Sequence, residues 1–142
     1  MKVSGKDAIE LVNKLVAAEN ITDFQLFDFD GSRMRICGSF DLCYYHDIEV
    51  VFIDPVFTSL AMYFSEPTFR MANKEEIAEL AHVPDKDESV FCVEADGRKY
   101  FVIAADIQAE KCKVYHYQRE NLGKDERIET ARTLNPEKRE KD

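Results

Sequence analysis

Several side chains capable of chemistry lie close together between Cys43 and Glu49. Cys43 and His46 have the Cys-x-x-His spacing that suits a zinc site. Residues three apart on a β-strand point to opposite faces, so the pair can share a metal only if the strand is bulged or begins after Cys43. Because no second Cys/His pair repeats this spacing, we predict no metal and no cofactor, and keep Cys43 and His46 as the candidates should a metal bind.

The same stretch can also be interpreted as an acid–base site, since such catalysis uses a histidine oriented by a carboxylate or two carboxylates around a bond. His46, Asp47 and Glu49 are the catalytic candidates, and the two carboxylates share one face of a predicted strand. Arg33 and Arg35 share a face of the strand before it. If the two strands form a hairpin, a cross-strand ladder of arginine with Asp47 and Glu49 is the simpler outcome, and we predict structure rather than catalysis.

A second group of candidates is aromatic. Tyr115, His116 and Tyr117 follow one another on the last predicted strand, and Tyr100 lies on an earlier one. Tyrosine is common at protein interfaces, so these four are the candidate binding residues, although half-buried packing is the simpler interpretation. The serines have no nucleophile-elbow context and the five glycines form no phosphate-binding loop, so no catalytic motif is present.

Composition limits the partners. The chain has 142 residues, is 45% hydrophobic and carries a net charge of −9, which indicates one folded domain with an acidic surface. Nucleic acid and anionic membranes both attract basic proteins, and no apolar run reaches the roughly 20 residues of a membrane span, so neither is an expected partner. Residues 119–142 contain seven basic and seven acidic residues, so the whole negative charge falls on residues 1–118. We therefore predict a single domain over 1–118 and a charged extension over 119–142.

The cysteines indicate a cellular compartment. Three of the four (Cys37, Cys43, Cys92 and Cys112) lie in apolar strand-like runs, and the amino terminus leads into an amphipathic pattern in place of an apolar signal segment. We expect free thiols in a cytoplasmic protein.

Hydrophobic periodicity predicts an α+β fold. A helix is expected over Ser4–Glu19, a short one over Asn73–Ala81 and a weak one over Asp125–Leu134. Strands are expected at Ile21–Phe29, Arg33–Phe40, Cys43–Asp54, Val56–Phe64, Val90–Glu94, Lys99–Ile107 and Cys112–Gln118. Asp30-Gly31 and Asp96-Gly97 are hairpin signals. We predict six to seven mainly antiparallel strands in one curved sheet or half-open barrel, with the amino-terminal helix covering one face.

Residues 44–49, Tyr-Tyr-His-Asp-Ile-Glu, resemble a strand of small bacterial immunity-type proteins that neutralise toxins, which implies a small acidic binding protein. We accordingly expect a non-enzymatic interaction domain whose acidic surface meets a basic protein partner. One alternative is a hydrolase-like or small-ligand enzyme centred on His46, Asp47 and Glu49. Another is a structural subunit that forms a homodimer through an edge strand.

Overall fold

The computed structural model describes residues 1–129 and confirms a mainly antiparallel α+β fold. The helices are α1 (Gly5–Ala18) and α2 (Lys74–Glu79). The strands are β1 (Lys2–Ser4), β2 (Asp23–Phe29), β3 (Arg33–Ser39), β4 (Tyr45–Ile53), β5 (Phe57–Thr58), β6 (Tyr63–Ser65), β7 (Thr68–Met71), β8 (Ser89–Ala95), β9 (Arg98–Ala104), β10 (Asp106–Tyr115) and β11 (Glu126–Ile128). No helix in this part of the chain is long and apolar enough to cross a membrane.

The strands form two sheets, where the sequence predicted one. The larger sheet has seven strands in the order β1-β10-β4-β3-β2-β6, with β11 also paired to β10, and it does not close into a barrel. The smaller sheet has the order β5-β9-β8-β7. Over its described residues, the chain passes between the two sheets four times, and the passages after β4 and after β9 are tight. Asp54 takes a positive φ before Pro55, and Ala105 alone separates β9 from β10, its N–H donating to the Ile53 carbonyl at 2.8 Å.

The hydrophobic core joins α1 to both sheets. The buried stripe of α1 is Ala8, Val12 and Leu15, as its periodicity predicts. The core includes Ile36, Val50 and Phe52 from the larger sheet and Phe69, Val93 and Val102 from the smaller one. Asn13 adds a polar anchor, because its side chain accepts from the Phe69 N–H at 2.9 Å and donates to the Phe69 carbonyl at 2.8 Å.

The local turn and cap signals have mixed outcomes. At Asp96-Gly97 both residues have positive φ, 54° and 74°, as a type I′ turn requires. At Asp30-Gly31 only Gly31 does; here the Asp30 carboxylate accepts from the backbone N–H groups of Ser32 and Arg33 and shapes a different turn. The capping box at the start of α2 is confirmed in full.

Other predicted boundaries are wrong. The Val56–Phe64 segment divides into β5 and β6, which belong to different sheets. The predicted Lys99–Ile107 strand ends at Ala104, and the predicted loop at Gln108–Lys111 is the middle of β10, a long strand with neighbours on both sides. The polar residues Gln108 and Glu110 fit in this strand because they alternate with buried Ile107 and Ala109 and so lie on the opposite face.

The carboxy-terminal prediction also needs correction. In the described part of the predicted Asp125–Leu134 helix, the chain instead forms β11, which pairs in parallel with β10. The alternating charges of this stretch fit that strand, since Arg127 and Glu129 both contact the sheet's charged side chains. The predicted extension thus returns to the domain at β11, while 130–142 lies outside the described residues.

Gly38 shows how closely the core constrains β3. Gly38 pairs regularly with Phe24 and Ile48. A Cβ added at Gly38 would lie 2.5 Å from the Phe24 ring, which is fully buried and stacked on Phe64 at 5.5 Å. The missing side chain makes room for that ring.

We expect Gly38→Ala to lower the free energy of unfolding by about 2 kcal/mol, because the buried Phe24 ring must shift. Urea denaturation measures this change. In a Phe24→Leu background the same substitution should cost less than half as much. Equal costs in the two backgrounds would show that the ring is not the obstacle.

Candidate functional site

A cluster of charged side chains lies on the face of the larger sheet that points away from the core. At its centre is Glu49 of β4, whose exposure is only 7%. Glu49 Oε2 accepts hydrogen bonds from His46 Nε2 at 2.7 Å, from Arg35 Nη1 at 3.3 Å and from Arg127 Nη2. We call these four residues and His116 the Glu49 cluster.

Arg35 connects the cluster to two more carboxylates. Its guanidinium donates two hydrogen bonds to Asp28, at 2.7 and 3.1 Å, and two to Glu129, at 2.9 and 3.0 Å. Its Cζ also lies 4.6 Å from the centre of the Phe27 ring. Such bidentate contacts fix the guanidinium in one orientation. Arg35 therefore holds β2, β3 and the end of β11 together.

The charge of Glu49 follows from these contacts. Burial raises the pKa of a carboxyl group, but the hydrogen bond with His46 and the charges of Arg127 and Arg35 outweigh it here. The pKa of Glu49 therefore lies below its ordinary value, and at neutral pH the side chain is an anion. A carboxylate of this kind is a poor general acid or base.

The two histidines form a hydrogen-bonded chain that ends at Glu49. His116 Nδ1 lies 2.9 Å from the Leu42 carbonyl oxygen, His116 Nε2 lies 2.8 Å from His46 Nδ1, and His46 Nε2 faces Glu49. Both ends of this chain are acceptors, so an N–H of His116 points to the Leu42 carbonyl and an N–H of His46 points to Glu49.

The surroundings of His116 favour its neutral form. Desolvation lowers the pKa of His116, and the hydrogen bond to the Leu42 carbonyl offsets this only in part. His116 is therefore the neutral imidazole that donates from Nδ1 to the Leu42 carbonyl. Phe27 covers the pair, its ring centre lying 5.1 Å from that of His46 and 5.8 Å from that of His116.

Strand irregularities bring these residues together. His46 and Glu49 are three apart on β4 and should face opposite sides in a regular strand. Their hydrogen bond occurs where the pairing of β4 with β10 shifts register between Lys111 and Val114. On the other side, a register shift in β2 leaves Phe27 without a partner on β3.

The structure unites some catalytic candidates and separates others. His46 and Glu49 meet, whereas Asp47 is bonded to Lys113 Nζ at 2.7 Å. Of the expected ladder, the Arg35–Glu49 pair is present, and no ion pair joins Arg33 to Asp47 within residues 1–129.

The candidate binding residues are also divided. His116 belongs to the Glu49 cluster. Tyr115 is buried, with its hydroxyl 3.1 Å from Glu126 Oε2, and Tyr117 packs edge-on against it. Tyr100 is on β9 in the smaller sheet, partly buried against the core. The role of all four in binding stays a prediction.

The structure brings together a set of possible metal ligands that differs from the predicted pair, Cys43 and His46. Cys43 is exposed before β4 begins, whereas the ligand atoms of His46, Glu49 and Cys112 lie within 4.8 Å of one another. This set offers N, O and S donors, as zinc requires. It nevertheless suits a metal poorly, because burial raises the pKa of Cys112 and keeps its thiol protonated, and because two guanidinium groups already occupy Glu49 Oε2.

Three functional positions were missed from the sequence: Phe27, Cys112 and Arg127. Arg127 and Glu129 alternate with Ile128, and this alternation could have predicted a strand that carries its charges on one face. Phe27 and Cys112 had no comparable signal, because each lies at a strand irregularity.

Two concave surfaces adjoin these elements. The polar cleft, about 370 Å³, lies beside the Glu49 cluster and is lined by Lys2, Asp28, Asp30, Arg33, Arg35, Glu49, Glu110 and Arg127. The apolar groove, about 300 Å³, lies at the rims of the two sheets and is lined by Leu26, Phe29, Met34, Pro55, Val56, Phe57 and Thr58.

We expect Glu49→Gln to lower the free energy of unfolding by about 3 kcal/mol, since it leaves Arg35, Arg127 and His46 without their shared anion. The matched control is Asp28→Asn, which removes a partner of the same Arg35 from a side chain that is 42% exposed, and should cost under about 1 kcal/mol. Urea denaturation at pH 7 compares them. Equal losses would contradict a central role for Glu49.

The lowered pKa of His116 predicts a pH dependence. Unfolded histidine takes up a proton near pH 6.5, whereas native His116 does so at lower pH. The unfolded chain then binds more protons, so this contribution to stability is present above about pH 6.5 and lost as the pH falls. The stability advantage of wild type over His116→Gln, measured in urea, should therefore shrink from pH 7.5 to 5.5.

The difference between wild type and Val83→Ala, which involves no titratable group, serves as the control. A constant advantage over His116→Gln would contradict the assignment.

Comparisons with known proteins assign no family. No protein-family model matches the chain, and no curated protein or solved structure matches it significantly. The likeness of residues 44–49 to immunity-type proteins receives no support from them. Function must be inferred from the chemistry of the Glu49 cluster, the polar cleft and the apolar groove.

Proposed function

We propose that this protein is a non-enzymatic interaction domain that binds a basic segment of another protein in the apolar groove. The observation that carries the proposal is the groove itself. Its lining comes from β2 and β3 of the larger sheet, from Pro55 and Val56, and from β5 of the smaller sheet, so both sheets contribute to it. A concave apolar surface on a rigid rim suits an inserted hydrophobic side chain.

Exposed hydrophobic residues extend the groove. Phe29 and Val56 in its lining are 55% and 46% exposed. Met62 lies beside Leu26, whose N–H donates to the Met62 carbonyl at 2.9 Å, and both Met62 and its neighbour Tyr63 are about 70% exposed. Contiguous exposed apolar surface marks interaction sites, and Met and aromatic residues are enriched there.

The charge of the protein favours a basic partner. The net charge is −9, and exposed Asp30 and Asp54 directly follow β2 and β4, next to Phe29 and Pro55 of the groove. Acidic groups around an apolar contact raise the association rate of a basic partner and disfavour acidic ones. A second copy of this chain would bring another −9, so we favour a different protein over the homodimer. The four free cysteines fit the cytoplasm as its place of action.

The enzymatic alternative has weaker support. Asp47 is neutralised by Lys113, and Glu49 is held as an anion by three donors. The lowered pKa of Glu49 makes it a poor general acid or base near neutral pH, and Asp47 is engaged by the ammonium of Lys113.

Selection of peptides from a random display library on the immobilised protein tests the proposal. Enriched peptides should combine a large apolar residue with Lys or Arg. Val56→Asp should weaken the binding of the best peptide by about tenfold or more, because it buries a carboxylate in the groove. Val83→Asp is the matched control, since Val83 is 81% exposed and lies outside the groove lining.

Raising the salt concentration should also weaken binding, because the basic residues of the peptide meet a screened acidic surface. Enrichment of no peptide, or of peptides that bind Val56→Asp as tightly as wild type, would refute the groove as the site. Light scattering that shows a stable dimer at micromolar concentration would support the homodimer instead.

A further inference from the structure

One carboxylate oxygen of Glu49 faces the polar cleft without a hydrogen-bond partner among the described residues. All three donors to Glu49 reach Oε2, and within residues 1–129 no hydrogen-bond donor reaches Oε1. This oxygen is not sealed in the protein, since no buried side-chain oxygen in that range lacks a partner and Glu49 lines the cleft. A side chain that is only 9% exposed therefore presents one anionic oxygen to the cleft.

A second carboxylate lies next to it. Glu110 of β10 is directly opposite Glu49 of β4, and Lys2 of β1 is directly opposite Glu110. Like charges on directly paired residues repel, and no cation in the described part of the chain forms an ion pair with Glu110. The two carboxylates thus form a place that a positively charged donor would stabilise.

Unpaired cations surround the same place. Lys2 and Arg33 are exposed, and within residues 1–129 neither forms an ion pair. Both line, together with Glu49 and Glu110, a niche of about 20 Å³ at the sheet surface. A niche of this volume holds one water-sized group, which is the size of an ammonium.

We propose that the polar cleft binds a small zwitterion of the α-amino-acid class. Its ammonium group occupies the niche and donates to Glu49 Oε1 and Glu110, while its carboxylate meets Lys2 and Arg33. The side chain of the ligand extends into the 370 Å³ of the cleft. Such a ligand forms a charged contact with each of four groups: Glu49 Oε1, Glu110, Lys2 and Arg33. A simple anion or a simple cation can satisfy only two of them.

The ligand class explains why the site is built on Glu49. Arg35, Arg127 and His46 neutralise one oxygen of the carboxylate and keep the other in a fixed position. An ammonium that binds there meets a preorganised acceptor and loses little to rearrangement of the protein. The cleft and the apolar groove have no lining residue in common, so this site is separate from the proposed protein-binding surface.

Titration of the full chain with each standard L-α-amino acid, followed by NMR, tests the proposal. At least one should bind at millimolar concentration and shift the amide signals of Lys2, Glu49 and Glu110. The 2-hydroxy acid and the decarboxylated amine that correspond to the best ligand should each bind about tenfold more weakly, since each lacks one charged contact.

Three variants complete the experiment. Glu110→Gln should weaken the best amino acid about tenfold and should not weaken the 2-hydroxy acid by as much, because only the amino acid brings a positively charged donor to Glu110. Glu79→Gln, an exposed position on α2, and Val56→Asp in the apolar groove should leave amino-acid binding unchanged. Absence of binding by every amino acid, equal binding of the 2-hydroxy acid, or an unaffected Glu110→Gln variant would overturn the proposal.

Discussion

The larger sheet depends on one buried negative charge. An ionised carboxylate removed from water is costly unless donors replace its hydration, and Glu49 meets this condition by placing three donors around a single oxygen. The donors belong to β3, β4 and β11, and Arg127 of β11 lies 78 residues from Glu49 in the sequence, so the charge can be satisfied only when these segments are assembled. The requirement selects one arrangement of strands in a region with little apolar packing.

This charged region and the hydrophobic core are built from the same strand. In β4, Val50 and Phe52 join α1 and the smaller sheet in the core, while Glu49 faces the other way. The core supplies most of the stability, because it buries apolar side chains from both sheets and α1. The opposite face is thereby free to carry charged side chains. The apolar groove occupies a third position, at the rim, where both sheets end.

Features with local causes could be predicted from the sequence. The stripe of α1, the capping box at Asn73, the Asp96-Gly97 turn and the Arg35–Glu49 pair follow from neighbouring residues or from one hairpin. Features with distant causes could not. The hydrogen bond between His46 and His116 spans 70 residues, and that between Glu49 and Arg127 spans 78. Periodicity carries no information about such pairs, nor about which of two sheets a strand joins.

The position of β10 has a consequence for synthesis of the chain. One edge of β10 pairs with β1 along one half and with β11 along the other half. The opposite edge of β10 pairs with β4. A nascent chain therefore cannot complete the larger sheet until residues beyond Tyr115 have left the ribosome, although β1 and α1 emerge first. Until then the apolar stripe of α1 has no complete sheet to pack against. Folding of this domain during synthesis is therefore delayed, and the exposed stripe is prone to aggregation in the meantime.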